Sequence, residues 1–278
     1  MKYRLIGDSC TDVTEKMREE NRIHLVPLTI NIDGETIVDD ETFDQKAFLE
    51  KMKASPECPS SACPAPEAFM KLYSGEEDVY VVTLSSKLSG SYNSAMVARD
   101  MYLEENEAKN IAVIDSLSAS IGQTLILLKV EELVKQGLSF EEVVKQAKEY
   151  RDHMATKFVL ETLESLRKNG RLSGLKAIIC NTLNIKPIMA SDGHGSIIKA
   201  NQARGMKRAL ETLAEDARKE VTDVKGKVLG IAHCNNYERA VFVRDEILKR
   251  VPFEEVVIAN TSGISSLYAN DGGIVVCY

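Results

Sequence analysis

Val79-Tyr80-Val81-Val82-Thr83-Leu84-Ser85-Ser86-Lys87-Leu88-Ser89-Gly90-Ser91-Tyr92 runs from an apolar, β-forming stretch through hydroxyls and a glycine into the helical pattern Asn93-Ser94-Ala95-Met96-Val97-Ala98. A buried strand that breaks into a helix in this way gathers hydroxyl and backbone N–H donors at the carboxyl edge of a sheet, where α/β proteins hold anions. Taken singly, the run reads equally well as a helix cap. It is not single. Leu5-Ile6 ends in Gly7-Asp8-Ser9-Cys10-Thr11-Asp12, and Ile111-Ala112-Val113-Ile114 ends in Asp115-Ser116-Leu117-Ser118-Ala119-Ser120. A further hydroxyl pair, Ser60-Ser61, stands in the proline-punctuated loop from Pro56 to Pro66. Neighbouring strands of a parallel sheet end at a common crevice, so the recurrence points to one shared ligand site.

Outward from these runs the first half alternates strand and helix. Ile23 to Ile32 reads as one strand that turns at Asp33-Gly34 into Thr36-Ile37-Val38, a hairpin signal. Helices are expected over about 44–53, from Glu67, after the Ser-Gly run, over about 119–136 and, with capping chemistry, from Ser139. That alternation implies a mostly parallel, buried sheet flanked by helices. The second half mixes the two kinds of connection. Ile185–Ala190 and Ile197–Ala203 flank a Gly-rich tip as an antiparallel hairpin, and Val228–His233 alternates with helices near 206–220 and 239–250. Strands are read at Val256–Ala259 and Ile274–Cys277, and the turn Asn169–Gly174 opens a helix whose Ala177-Ile178-Ile179 is a core face. The expectation is a two-domain α/β fold: an N-terminal domain over 1–154 carrying the Ser-rich site, and a mixed-sheet C-terminal domain over 155–278 that closes over the ligand.

Composition narrows the function. The chain has 278 residues, 44% of them hydrophobic and 28% charged, enough to bury sizeable cores. Its net charge of −7 argues against a nucleic-acid partner, which calls for a basic face. The start at Met1 has no signal-like apolar segment, and the apolar runs are too short to span a bilayer, so a cytoplasmic protein is expected. Six scattered cysteines read as free thiols, and Cys58 with Cys63 lacks a second ligand pair for zinc, so no metal site is expected. There is no Gly-x-x-x-x-Gly-Lys phosphate loop, no Gly-x-Gly-x-x-Gly after the first strand and no Gly-x-Ser-x-Gly. Ser89 has no histidine near it in sequence, and His233, at a strand end, reads as packed or solvated rather than catalytic. Hydroxyl donors without a base suit holding an anion better than cleaving a bond.

The ordered motifs resemble the DegV family over essentially the whole chain. Asp8-Ser9-Cys10-Thr11-Asp12 is similar to its opening Asp-Ser-x-x-Asp element, Ser60-Ser61-Ala62-Cys63-Pro64 to its Thr-Ser-Gln-Pro loop, and Leu84–Tyr92 to its most recognisable segment. Val113-Ile114-Asp115-Ser116 is similar to the segment that follows. Asn169-Gly170-Arg171 resembles its Gly-Gly-Arg turn, with Lys186-Pro187-Ile188 and Arg204 following in order. The resemblance implies no cofactor but a bound long-chain fatty acid. Its carboxylate would meet Ser61, Ser89 and Gly90, and Arg204 would engage a fatty acid kinase that receives the acyl carboxylate. Transient contact with a membrane surface during lipid exchange is also implied.

Two departures stand out. Ala62-Cys63 replaces a hydroxyl and an amide of the Thr-Ser-Gln-Pro loop. Tyr268, in Tyr268-Ala269-Asn270-Asp271-Gly272-Gly273, stands where many members carry the histidine of a His-x-Gly-Pro-Gly turn that helps the head group. Head-group donors near a helix N-terminus keep a desolvated carboxylate ionised without a cation, and Lys87 is expected to lie exposed. The expected function is a non-catalytic fatty acid carrier. The alternatives are an enzyme of related architecture, either a small-molecule kinase-like protein or a Ser-dependent acyl hydrolase, and a regulatory module that only docks partners.

Overall fold

The computed structural model describes residues 2–20, 22–172 and 184–278. The chain runs β1 (Tyr3–Asp8), α1 (Glu15–Glu19), β2 (His24–Val26), β3 (Thr29–Ile32), β4 (Glu35–Val38), α2 (Gln45–Ala54), β5 (Ser60–Ala62), α3 (Pro66–Met70), β6 (Asp78–Thr83) and α4 (Ser91–Glu105). It continues with β7 (Ile111–Asp115), α5 (Ile121–Lys135), α6 (Phe140–Asp152), β8 (Thr156–Val159), α7 (Glu164–Lys168), β9 (Ile185–Ser191) and β10 (Ile197–Arg204). Last come α8 (Met206–Glu220), β11 (Val228–His233), α9 (Tyr237–Leu248), β12 (Glu255–Asn260), α10 (Gly263–Ala269) and β13 (Ile274–Cys277). The expected helix after Gly170, with Ala177-Ile178-Ile179, lies outside the described residues.

Three sheets result. The first, ordered β2-β1-β6-β7, is wholly parallel, as the βα alternation implies. The largest, ordered β10-β9-β8-β13-β11-β12, is mixed, with only β11 and β12 parallel. The third, β4-β3-β5, is a small antiparallel sheet. It corrects two expectations. The single strand read over Ile23 to Ile32 is two, in different sheets, because Pro27 has no N–H for a ladder and Ser9 Oγ accepts the Leu28 N–H at 3.0 Å. The loop from Pro56 to Pro66 contains β5, which pairs Ser61 with Ile30. The β3–β4 turn at Asp33-Gly34 is as read, with both residues at positive φ.

Each sheet is covered according to its pattern. Ile6, Val81 and Val113 of the parallel sheet pack on Phe69 and Tyr73 and on Ala95 and Ala98 of α4. Its other face, with Leu5, Val82 and Ile114, packs on Ile126, Leu127 and Val130 of α5 and Val143 of α6. The six-stranded sheet buries Leu229, Ile231 and Val276 under α8 and α9. Its opposite face meets α5 again, where Ile121 and Leu125 touch Ala232, Ala259 and Cys277. A helix apolar all round is one that is buried all round. The close seat of α5 on β11 depends on Gly230, where a Cβ would stand 2.8 Å from Ile121 Cγ1 and 3.0 Å from Leu125 Cδ1. Overpacking of this kind costs about 1–3 kcal/mol. Gly230→Ala is therefore expected to lower the unfolding free energy by that amount in urea titration, and a change under about 0.5 kcal/mol would show that α5 is not seated this tightly.

Candidate functional site

The three Ser- and Asp-rich strand ends do meet, but most of their polar groups bind one another. Asp8, Asp12 and Asp39 are all buried. Asp8 accepts the N–H groups of Cys10 at 3.2 Å and Leu84 at 2.7 Å, and the Gln123 amide at 2.9 Å. Asp12 accepts the Ser262 N–H at 2.7 Å and the Ser120 hydroxyl. Asp39 accepts the N–H groups of Gly263 at 2.6 Å and Ile264 at 2.9 Å. Ser85 donates to the Gly195 carbonyl at 2.8 Å, and Ser116 to the Ser118 carbonyl at 2.9 Å. All three strand ends reach one cavity, through Cys10, through Leu84 and Ser89, and through Leu117 to Ser120, but most of their polar groups are already engaged. The Asp8–Asp12 element is wiring between loops, and only part of the hydroxyl set is left to face a ligand.

That part surrounds a cavity of about 100 Å³. Its wall is apolar, with Leu28, Leu84 and Leu117 from the first half and Phe158, Leu160 and Ile264 from the second. Hydroxyls in the wall are turned to protein partners: Ser118 Oγ lies 2.7 Å from Thr156 Oγ1, and Ser191 donates to the Leu117 carbonyl at 3.2 Å. Leu117 and Ser120, both cavity residues, hold positive φ of 52° and 59°. Backbone in this region is kept only where the surroundings enforce it, and here the Asp12 bond to Ser120 is part of that enforcement.

Ser61, Ser89 and Tyr268 line this cavity together. Ser61 Oγ and Tyr268 OH lie 2.9 Å apart. Ser89 Oγ accepts the Ser91 N–H at 3.2 Å at the start of α4 and donates to Ser91 Oγ at 3.3 Å. Gly90 is not in the wall. It is the exposed N-cap of α4, with no acceptor for its N–H among the described residues, and a Cβ there would stand 2.9 Å from Cys63 Sγ. Arg204 is not in the wall either. It is exposed at the end of β10, the edge strand of the six-stranded sheet. Lys87 is exposed, as expected.

Two contributors lay beyond the sequence reading. One is α10 itself, a short helix in the β12–β13 connection that supplies Ile264, Ser265, Tyr268 and Ala269 to the wall. The other is Arg171, a cation in the wall beside the hydroxyls that the sequence reading named. Its guanidinium lies 5.6 Å from the Tyr268 ring centroid, and its Nε donates to the Leu88 carbonyl at 3.1 Å. The Asn-Gly-Arg turn was the signal for it. Burial raises the Tyr268 phenol above its ordinary range, although Ser61 and Arg171 act the other way, so it stays a proton donor. His233 is buried away from the wall, accepts the Asn236 N–H at 3.2 Å, and is held in its neutral form by burial. Among the described residues no cluster of His, Cys, Asp and Glu has the makings of a metal site, and no helix is long and apolar enough to cross a membrane.

Burial pushes the Asp12 carboxyl up to about 7, against the bonds from Ser120 and Ser262, and Asp39 up to about 6. An unfolded aspartate titrates near 3.9, so between about pH 4 and 7 the folded chain holds at Asp12 a proton that the unfolded chain has released. The stability this gives is complete below about pH 4 and is lost as pH rises through 7. Asp12→Asn cannot ionise, and its amide satisfies Ser120 and Ser262 as the protonated acid does. Urea unfolding is expected to find the variant close to wild type at pH 5 and more stable than wild type at pH 8. A wild-type advantage that grows with pH would contradict this assignment.

Residues 2–278 match the family model described as an uncharacterised protein of the DegV family. A DegV domain-containing protein of Streptococcus pyogenes serotype M1 is 39% identical over 100% of this chain and 99% of its own. The solved structure of a DegV-family protein from Ruminococcus gnavus with vaccenic acid is 45% identical, with a TM-score of 0.96 over 99% of each chain. The Streptococcus pneumoniae fatty acid kinase B3 protein loaded with linoleic acid is 33% identical, with a TM-score of 0.89 over 100% of this chain and 99% of its own. A Eubacterium eligens DegV-family protein loaded with heptadecanoic acid is 30% identical, with a TM-score of 0.90 over 99% of this chain and 98% of its own.

Proposed function

The chain belongs to the DegV family, and on that premise we propose that it is a non-catalytic carrier of a long-chain fatty acid. The acyl chain lies in the apolar cavity, and the carboxylate lies at its Ser61–Tyr268–Ser89 end. The observation that carries this reading is the contrast within one cavity. Its wall is apolar and turns most of its hydroxyls to protein partners, while Ser61 and Tyr268 pair with each other beside Arg171, whose Nε holds the Leu88 carbonyl next to Ser89. Relatives of closely similar fold that hold vaccenic, linoleic and heptadecanoic acids support the ligand class.

The energetics fit. Burying about 15 methylenes at about 0.8 kcal/mol each offers on the order of 12 kcal/mol gross, from which ordering of the ligand takes back a large share. The tail thus supplies the affinity, and the head group has only to escape a desolvation penalty. Arg171 and the hydroxyls meet that need. Ser89 is not set for nucleophilic attack, since its hydroxyl is engaged with Ser91 at the turn into α4. Presentation of the carboxylate to a partner kinase is the use we infer, with Gly90 at the exposed start of α4 and Arg204 on the sheet edge as its contact residues. The likeness to the fatty acid kinase B3 protein supports it.

Denaturing extraction of the purified protein followed by mass spectrometry is expected to release about one fatty acid per chain. An empty protein that also fails to bind oleate and palmitate would overturn the reading. Tyr268→Phe and Ser61→Ala each remove a hydrogen-bonding hydroxyl worth about 1 kcal/mol, so each is expected to weaken oleate binding roughly fivefold in a titration of the delipidated protein.

A further inference from the structure

We propose that Asp39 is a positioning residue for this head-group site, clamping the first turn of α10 to the small β4-β3-β5 sheet and so setting the Tyr268 hydroxyl against Ser61. The proposal rests on the fatty acid reading above. Ser61 and Tyr268 come from parts of the chain 207 residues apart, yet their oxygens lie at 2.9 Å. Ser61 sits on β5, opposite Ile30 of β3. Tyr268 sits on α10, which by chain order belongs to the β12–β13 connection of the six-stranded sheet. Something must hold α10 to the other sheet.

Asp39 does so with both carboxylate oxygens. It directly follows β4, and its own N–H donates to the Leu28 carbonyl at 2.9 Å just before β3. Its Oδ1 takes the Gly263 N–H at 2.6 Å and its Oδ2 takes the Ile264 N–H at 2.9 Å. Its residue surface is 3% exposed. An anion on the first amides of a helix is favourably placed, and the partly positive helix end replaces the lost solvent. The approach demands glycine: a Cβ at Gly263 would lie 2.6 Å from Asp39 Oδ1 and 3.1 Å from Ile30 Cδ1. Ile30 is the residue opposite Ser61, so the clamp bears on the same strand that carries the hydroxyl. Tyr268 follows Ile264 by four residues, about one helical turn. Gln45, at the start of α2, adds a second grip by donating to the Thr261 carbonyl at 2.8 Å and the Ser266 hydroxyl at 3.0 Å.

A carboxylate is required, because each oxygen receives a separate N–H. Asparagine offers one acceptor and turns an amide donor toward the other N–H, so Asp39→Asn loosens α10 with little change of volume. The test is a double-mutant cycle in which delipidated wild type, Asp39→Asn, Tyr268→Phe and the double variant are titrated with oleate. Asp39→Asn is expected to weaken oleate binding roughly fivefold, about as much as Tyr268→Phe does, and the double variant to be no weaker than either alone. Unchanged binding in Asp39→Asn, or penalties that multiply in the double variant, would overturn the clamp, since a purely structural role does not depend on Tyr268. If Asp39→Asn fails to fold, Gln45→Ala takes its place in the same cycle with the same expectation. A wild type that carries no fatty acid on extraction and binds neither oleate nor palmitate refutes the carrier reading instead. The clamp is then decided by the ring resonance of Tyr268, identified by its loss in Tyr268→Phe: a shift in Asp39→Asn supports it, and an unchanged position overturns it.

Discussion

Helix α5 has sheet on both sides, and the placement of everything else follows from covering it. Ile126, Leu127 and Val130 face the parallel sheet, while Ile121 and Leu125 face the six-stranded one. Burying a side chain of this size stabilises by about 1.5–3 kcal/mol, so pulling the two sheets apart would expose several such increments at once. One helix therefore fixes the spacing between the strand ends of the first half and β8 and β13 of the second. The cavity lies along that seam. Its wall includes Leu117 to Ser120, the residues leading into α5, and Phe158 and Val275, which pair across β8 and β13.

Three carboxylates are buried near this seam without a lysine or arginine bonded to them among the described residues. Burial alone makes an isolated ion costly, so each has to be answered by hydrogen bonds. Backbone amides of Cys10, Leu84, Ser262, Gly263 and Ile264, with the Gln123 amide and the Ser120 hydroxyl, provide the answer. These amides stand in loops or in the first turn of α10, where no backbone partner takes them, and so the carboxylates knit together segments that the sheets leave open. The cost is conformational: Ser120 sits at positive φ to bring its hydroxyl to Asp12.

This explains what was legible in the sequence and what was not. Strand and helix order came through, because period-2 and period-3.6 patterns are local. The antiparallel hairpin at Asp33-Gly34 and the capping box at Ser139 came through for the same reason. Ser61, Ser89 and Tyr268, named from the resemblance, prove to share one cavity. Gly90, named in the same way, stands outside its wall, and Arg204, named for a partner, lies exposed on the sheet edge. The hydroxyl-rich strand ends misled in part. A serine that binds an anion and a serine that binds the next loop look alike in sequence, and only the distant partner tells them apart. Gly195, whose carbonyl takes up Ser85, lies 110 residues on. The short helix α10 was invisible because seven residues hold too little periodicity, and its N-terminal amides are answered by Asp12 and Asp39 rather than by a local cap.

The head-group end can now be weighed as chemistry. The whole chain carries −7, but charges farther than about 8–10 Å are screened at physiological salt, so nearby groups decide whether a carboxylate is held. Ser61 and Tyr268 bond to each other, which uses one of their two hydroxyl protons and leaves one for a ligand whichever way the pair points. A donor that is itself accepting a hydrogen bond is strengthened, so the pair is better matched to an anion than either hydroxyl alone. In the proposed site Arg171 would supply the charge, and the face of Tyr268 accommodates its guanidinium at 5.6 Å. A histidine in place of Tyr268 would titrate near neutrality. A phenol whose pKa burial has raised does not, and it offers its proton across the physiological range. The exchange of imidazole for phenol thus moves the positive charge of the proposed site onto Arg171, and couples head-group binding to the one turn, Asn169-Gly170-Arg171, that brings that arginine over the ring.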